Sequence, residues 1–172
     1  MRTLLSPLGD LVAVAEAAGV TLLEFHDQRG LERQLEALGE GLTGTPSAVV
    51  QDGDAGRHLD QLERELREYF DGARTRFEVA VAPSGTPFQR DVWAGLRRIP
   101  YGATQSYGAL AASIGRPKAV RAVGRANGEN RVAILIPCHR CVGAGGALTG
   151  YAGGLWRKER LLALERGTAA RP

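Results

Sequence analysis

Cysteine is scarce in this chain: 172 residues contain two, together with one methionine and two tryptophans. Two thiols cannot make a disulfide framework, so a reducing cytoplasm is the expected compartment. The histidines number three, His26, His58 and His139. Structural zinc takes four Cys or His ligands, and such a set would have to draw on nearly all of these residues from distant places. No metal site is expected. No apolar run reaches the roughly 18 residues of a membrane span. Pro7, Gly9 and Asp10 interrupt the first twenty residues, which therefore lack the apolar core of a signal peptide. Internal repeats and low-complexity segments are also missing. What remains, 44% hydrophobic and 24% charged, is the make-up of a soluble globular protein, long enough for one domain or two small ones.

Acidic residues are the next scarcity, and only in one half. Residues 86–172 hold 14 Lys and Arg against 4 Asp and Glu, whereas residues 1–85 hold 8 against 15. Charge of opposite sign in the two halves predicts two modules, 1–83 and 84–172, the second facing a polyanion. In the first module, "RTLLSPLG", "LVAVAEAAG" and "VTLLEFHD" read as a short antiparallel meander. "LERQLEALGEGL" is helical, and "GTPSAVVQDGDAG" is a turn-rich loop. "HLDQLERELREYFDGA" places Leu59, Leu62, Leu66, Tyr69 and Phe70 on one helical face, and "TRFEVAVAP" is a further strand. "PSGTP" at 83–87 reads as the linker.

Beyond it, "PFQRDVWAGLRRI" is an amphipathic helix with Pro87 in its first turn and a stripe of Phe88, Val92, Trp93, Leu96 and Ile99. "SYGALAASIG" is a short helix closed by Gly115. "RPKAVRAVGRAN" is another, with Pro117 in its first turn and Lys118, Arg121 and Arg125 along it. Two short helices and a tight glycine turn make a helix-turn-helix pattern, although many such hairpins bind nothing. "VAILIP" is a buried-strand run leading into Cys138, "GAGGALTGYAGG" is a flexible glycine-rich loop, and "LWRKERLLALERG" is a terminal helix.

Both cysteines lie in "PCHRC", three residues apart. A redox Cys-x-x-Cys opens a helix whose dipole acidifies the first thiol, but "GAGG" follows here and starts no helix cheaply. A disulfide between Cys138 and Cys141 under oxidation is left open. Nucleophilic use of Cys138 fits better, because His139 and Arg140 supply a base and a positive charge beside it. A base that serves a cysteine needs a third group to orient it. Asp91, Glu129, Glu159 and Glu165 are the acids of this half from which that group would come. A Cys-His dipeptide after a strand is otherwise ordinary core.

"PCHR" preceded by "AILI", with "TGYAGG" downstream and "RKERLLALE" at the end, resembles the methylated-DNA–protein-cysteine methyltransferases (O6-alkylguanine-DNA alkyltransferases). "GTPFQRDVWAGLRRIPYGATQSYGALAASIGRPKAVRAVGRAN" resembles the helix-turn-helix of the same family. The likeness runs from about residue 85 to 166. It implies an α+β fold, with a small ribonuclease-H-like N-terminal module (antiparallel sheet plus helices) and a mostly helical, winged-helix-like C-terminal one.

The resemblance further implies direct-reversal DNA repair without cofactor or metal. A monomer moves the alkyl group of O6-alkylguanine, and of O4-alkylthymine, irreversibly onto its own Cys138. By the same likeness, His139 draws the thiol proton through a water, Glu165 orients His139, Asn130 braces the active-site turn, and Tyr107 donates to guanine N3. An extruded base costs a few kcal/mol of stacking and pairing. Arg121 fills the vacated stack from a helix in the minor groove, where Ala119, Ala122, Gly124 and Ala126 permit close approach, and Lys118 and Arg125 add charge. The carbonyls of Cys138 and Cys141 take the guanine amino group, the Ala152 N–H faces O6, and Gly150–Gly154 forms a wall that includes Gly153, with Tyr151 beside the base. Read alone, "GYAGG" is merely a turn. The family commonly has valine where Cys141 stands, proline where Arg131 stands, and, in some animal members, zinc-binding cysteines that this chain lacks. Two other functions compete: a damage-sensing DNA-binding protein that performs no transfer, and a thiol oxidoreductase indifferent to DNA.

Overall fold

The computed structural model describes residues 1–39 and 53–168. The chain divides into two compact units, Met1–Pro83 and Ser84–Pro172. The fold is α+β.

The first unit opens with three antiparallel strands, β1 (Arg2–Leu4), β2 (Leu11–Glu16) and β3 (Gly19–Phe25), in that order across the sheet. Leu11 pairs with Phe25 and Val12 with Glu24, and the register shifts between Val14 and Ala15. Helix α1 (Leu31–Glu36) lays Leu31 and Leu35 on Val12, Val14 and Leu22. Helix α2 (Asp54–Phe70) packs on β2 and β3, and all five residues of its expected stripe are buried. Each large apolar side chain removed from water in this way contributes about 1.5–3 kcal/mol. Most of the loop expected over "GTPSAVVQDGDAG" lies outside the described residues, but its end, Asp54–Gly56, is the first turn of α2.

The expected strand "TRFEVAVAP" does not form. One parallel bridge joins Val81 to Val20, and the residues before it make no ladder. Their donors are taken by a side chain: buried Glu65 of α2 accepts the N–H of Glu78 at 2.9 Å and of Val79 at 3.2 Å. A carboxylate that satisfies two adjacent amides removes the need for a partner strand.

In the second unit, α3 (Pro87–Arg97) begins with a reciprocal cap. Gln89 N–H donates to the Thr86 hydroxyl at 3.2 Å, and Thr86 N–H donates to the Gln89 amide oxygen at 2.7 Å. The linker read over 83–87 therefore ends inside a helix cap. Val92, Trp93, Leu96 and Ile99 are buried and Phe88 is half-buried. The short strand β4 (Gln105–Ser106) runs into α4 (Tyr107–Ser113), capped by the Ser106 hydroxyl, and α5 (Val120–Gly128) follows. Helices α3, α4 and α5 pack on one another, and Trp93 Nε1 donates to the Ala126 carbonyl at 2.9 Å.

Two expectations fail here for identifiable reasons. Helix α5 starts at Val120, so Pro117 and Lys118 lie in the preceding turn, which Ala119 N–H closes onto the Arg116 carbonyl. The buried run "VAILIP" is no strand: it coils through turns, with Ile134 at φ 70°. A 3-10 turn at Cys138–Arg140 leads into β5 (Cys141–Val142), which pairs in parallel with β4 through Gln105–Cys141 and Ser106–Val142. The glycine-rich stretch after it holds a second 3-10 turn at Ala144–Gly146, and α6 (Leu155–Glu165) closes the unit.

Candidate active site

Asn130, just past the end of α5, organises the approach to the cysteine. Its Oδ1 accepts the Val132 N–H at 3.0 Å, and its Nδ2 donates to the Ile136 carbonyl at 2.9 Å and reaches Cys138 Sγ at 3.2 Å. One buried amide thus satisfies the coil before the cysteine and supplies a donor to its sulfur. That side chain replaces the ladder that a strand would have provided, which is why the apolar run can bend.

The 3-10 turn then aims His139 and Arg140 at one carboxylate. His139 Nε2 lies 2.7 Å from Glu165 Oε1, Arg140 Nε donates to Oε2 at 2.8 Å, and Arg140 Nη2 donates to Oε1 at 2.9 Å. Gly102 N–H adds a bond to Oε2 at 3.1 Å. Gly102 has φ +75°, and a Cβ there would sit 2.9 Å from the Glu165 carbonyl oxygen, so only glycine fits this approach. Arg140 is held from its other side by the Ile99 carbonyl at 2.7 Å.

Burial alone would raise the Glu165 carboxyl. The hydrogen bonds and charge from His139 and Arg140 outweigh it and hold the group at about 2. Burial of the His139 ring lowers its pKa below the ordinary 6.5, against the pull of Glu165. The ring is therefore neutral with Nε2–H donating to the carboxylate, because Arg140 already balances that charge. Its Nδ1 is buried without a hydrogen-bond partner among the described residues. A neutral imidazole with a bare lone pair, oriented by a fixed carboxylate beside a thiol, can accept that thiol's proton.

Around this core the expected site residues separate into two groups. Asn130 bonds Cys138 and His139 bonds Glu165, and the adjacency of Cys138 and His139 in the chain brings the two pairs together. Cys141 is tied to it through the turn, its N–H donating to the Cys138 carbonyl. Tyr107 opens α4 beside β5, and its hydroxyl reaches the Thr149 carbonyl at 3.5 Å. Tyr151 is half-buried, Ala152 exposed and Gly153 buried in the loop before α6. On α5, Arg121 and Ala122 are exposed, as is Lys118 in the turn before it, while Ala126 is buried against Trp93 rather than on the open face. Arg125 is exposed but bonds Glu129 at 2.8 Å, so part of its charge is spent within the chain.

Both cysteines are buried, and no disulfide joins them. Burial pushes the Cys141 thiol up to about 12 despite the nearby Lys158, so this sulfur stays protonated and is a poor nucleophile. Two residues were absent from the sequence-level site. Lys158 is fully buried and donates to the carbonyls of Cys141 at 2.6 Å and Thr149 at 2.7 Å. Arg157 donates to the Gly153 carbonyl at 2.8 Å. The signal for Lys158 was present: with Leu161, Leu162 and Glu165 it falls at i, i+3, i+4 and i+7, so both charged ends share the apolar stripe of α6.

Comparison with known proteins adds an independent line. The family described as "6-O-methylguanine DNA methyltransferase, DNA binding domain" matches residues 87–167. A methylated-DNA–protein-cysteine methyltransferase of Methanosarcina barkeri is 55% identical over 160 residues, 93% of this chain and 92% of the relative. One of Mycolicibacterium paratuberculosis is 46% identical over 165 residues, 96% and 91% of the two chains. Among solved structures, Mycobacterium tuberculosis OGT in complex with DNA matches at a TM-score of 0.76 and 41% identity, covering 98% of this chain and 93% of that one.

Proposed function

The chain belongs to the methylated-DNA–protein-cysteine methyltransferase family, and from that premise we infer how its own residues carry out the transfer. It reverses alkylation damage in DNA directly, by moving the alkyl group from O6 of guanine to a cysteine of its own. Cys138 is that cysteine. His139 Nδ1 takes the Cys138 proton, directly or through a water, and the Nε2–H bond to Glu165 holds the ring during the exchange. The thiolate attacks the alkyl carbon in line: an S–C bond forms, the C–O bond breaks, and guanine leaves with the electron pair. Tyr107 donates to the leaving base at N3 and offsets the charge that develops there. The thioether is not reversed, so each molecule acts once, and neither cofactor nor metal takes part. O4-alkylthymine presents an analogous leaving group, a base released through its exocyclic oxygen, and is a second substrate.

The same reading assigns the DNA contacts. Helix α5 enters the minor groove, Arg121 fills the stack left by the extruded base, and Ala122 lets the backbone approach. Lys118, and Arg125 once released from Glu129, meet phosphates. The carbonyls of Cys138 and Cys141 and the Ala152 N–H read the base, with Tyr151 and Gly153 in the wall beside it. The N-terminal sheet with its helices corresponds to a ribonuclease-H-like module, and α3–α5 with the β4–β5 pair correspond to a winged-helix-like one. An acceptor thiol outside any disulfide suits a reducing cytoplasm, and one copy suffices for one lesion.

The observation that carries this reading is the pairing of two adjacent residues, Cys138 with Asn130 and His139 with Glu165. Mass spectrometry after incubation with an O6-methylguanine oligonucleotide tests it. The peptide bearing Cys138 should gain about 14 Da, one CH₂, in a one-to-one ratio with lesion, and Cys138→Ala should bind DNA without the gain. A wild-type peptide of unchanged mass would refute the assignment.

A further inference from the structure

Helix α6 fastens the pocket loop at both of its ends. Lys158 takes the Thr149 carbonyl, and Arg157, on the next residue of the helix back, takes the Gly153 carbonyl. Arg157 is itself buried, and its guanidinium lies 4.5 Å from the centroid of the Trp156 ring. That ring is 52% exposed, which is unusual for so large an apolar group in a first helical turn. It is not idle on its inner face. Gly154 sits at φ +92°, and a Cβ there would come within 3.2 Å of Trp156 Cδ1 and 3.3 Å of Nε1. The indole therefore lies close against the last glycine of the loop, and the Arg157 guanidinium lies over its ring.

A loop containing Gly150, Gly153 and Gly154 has little intrinsic stiffness. Its own backbone provides one bond in this stretch, Gly154 N–H to the Tyr151 carbonyl at 3.0 Å. At the Gly153–Gly154 end the first turn of α6 puts the Arg157 and Lys158 N–H groups on the Gly154 carbonyl at 3.1 and 3.3 Å, and the Arg157–Trp156 pair adds a charge-assisted hydrogen bond on the Gly153 carbonyl and an indole beside Gly154. We propose that this clamp sets the width of the alkyl pocket, making Trp156 and Arg157 positioning residues that favour transfer of small alkyl groups over bulky ones. The proposal rests on the assignment of Gly150–Gly154 as a pocket wall. A methyl group needs no movement of that wall, whereas a benzyl group must displace Gly153 and Gly154 against the clamp.

Single-turnover transfer to Cys138 from oligonucleotides carrying O6-methylguanine or O6-benzylguanine tests it. Trp156→Ala and Arg157→Met should each raise the benzyl-to-methyl rate ratio about tenfold, at the low end of what a small change in pocket shape commands. Trp156→Phe keeps a ring on Gly154 and should retain the wild-type ratio. Trp156 is half-exposed, so its alanine variant remains informative if Arg157→Met folds poorly. An unchanged ratio in Trp156→Ala, or equal losses with both substrates, overturns the clamp. Wild-type protein that acquires neither group at Cys138 would instead overturn the underlying assignment of the acceptor.

Discussion

Gly19–Phe25 in the first unit and Val132–Ile136 in the second are both buried apolar runs, yet their backbones are satisfied in opposite ways. The first is β3, paired with β2 in an antiparallel ladder interrupted once, by the register shift between Val14 and Ala15. The second coils, with Ile136 N–H on the Val132 carbonyl and the Asn130 amide bonding both Val132 and Ile136. Ile134 there adopts φ 70°, a left-handed conformation that costs a β-branched residue about 1–2 kcal/mol. A ladder buries side chains and leaves the backbone straight. A side-chain bracket tolerates strain, and in exchange the chain turns so that the cysteine sulfur meets the same amide that holds the turn.

The contrast breaks most decisively at Asn130. Asn130→Ala leaves the Val132 N–H and the Ile136 carbonyl buried without that partner and removes the donor to Sγ. Two such groups cost about 2–5 kcal/mol together, and methyl transfer per folded molecule should fall at least about 100-fold, the scale of losing one preorganised donor. Urea unfolding and single-turnover kinetics report the two losses separately; retained transfer would dissolve the distinction between bracket and ladder. Leu22→Ala is the counterpart in the ladder, at a site with no exposure. It should cost about 2–5 kcal/mol of stability and leave the transfer rate of folded protein within about twofold, an effect confined to packing. A large change in chemistry from Leu22→Ala would show that the sheet reaches the site.

Acid gives the smallest and most selective perturbation. The folded state holds Glu165 at about 2 against an ordinary 4.5, so its contribution is present above pH 4.5 and is lost as pH falls toward 2. His139, lowered by burial from 6.5, adds a loss of the same sign that begins as pH falls below 6.5, because the unfolded ring binds the proton more readily. Thermal melts from pH 7 down to 3 should therefore show falling stability in two stages, and Glu165→Gln should remove the lower one. A profile that is flat over this range would contradict the carboxylate's role as shared acceptor.

The elements visible in the sequence were those governed by local period: the meander, α2, α3 and α6 all follow from spacing that one helix or strand can satisfy alone. The two expected strands that did not form share one cause. The stretches 75–83 and 132–136 have strand-like composition, but Glu65, 13 and 14 residues from its partners, and Asn130, two and six residues from its own, claim their backbone groups, and no periodicity records that. Pro117 was compatible with a first helical turn, and a turn bond at Ala119 decided otherwise. At the site, the residues alone gave Cys138, His139 and four acids to choose from; the choice of Glu165, and the parts given to Asn130 and Tyr107, came from family likeness. Arg157 stayed hidden because cations on a terminal helix are usually solvated and it lies off the apolar stripe of α6, whereas the place of Lys158 on that stripe was a signal that periodicity carried.

Lys158 grips position 141 by its carbonyl oxygen, leaving whatever hangs from the α-carbon outside the grip. The second sulfur is thus a tenant of that position, not an instrument: a valine could occupy it and the main chain would still be presented to the same ammonium. What Lys158 holds here is the polymer backbone, at a place where the side chain takes no part in the contact.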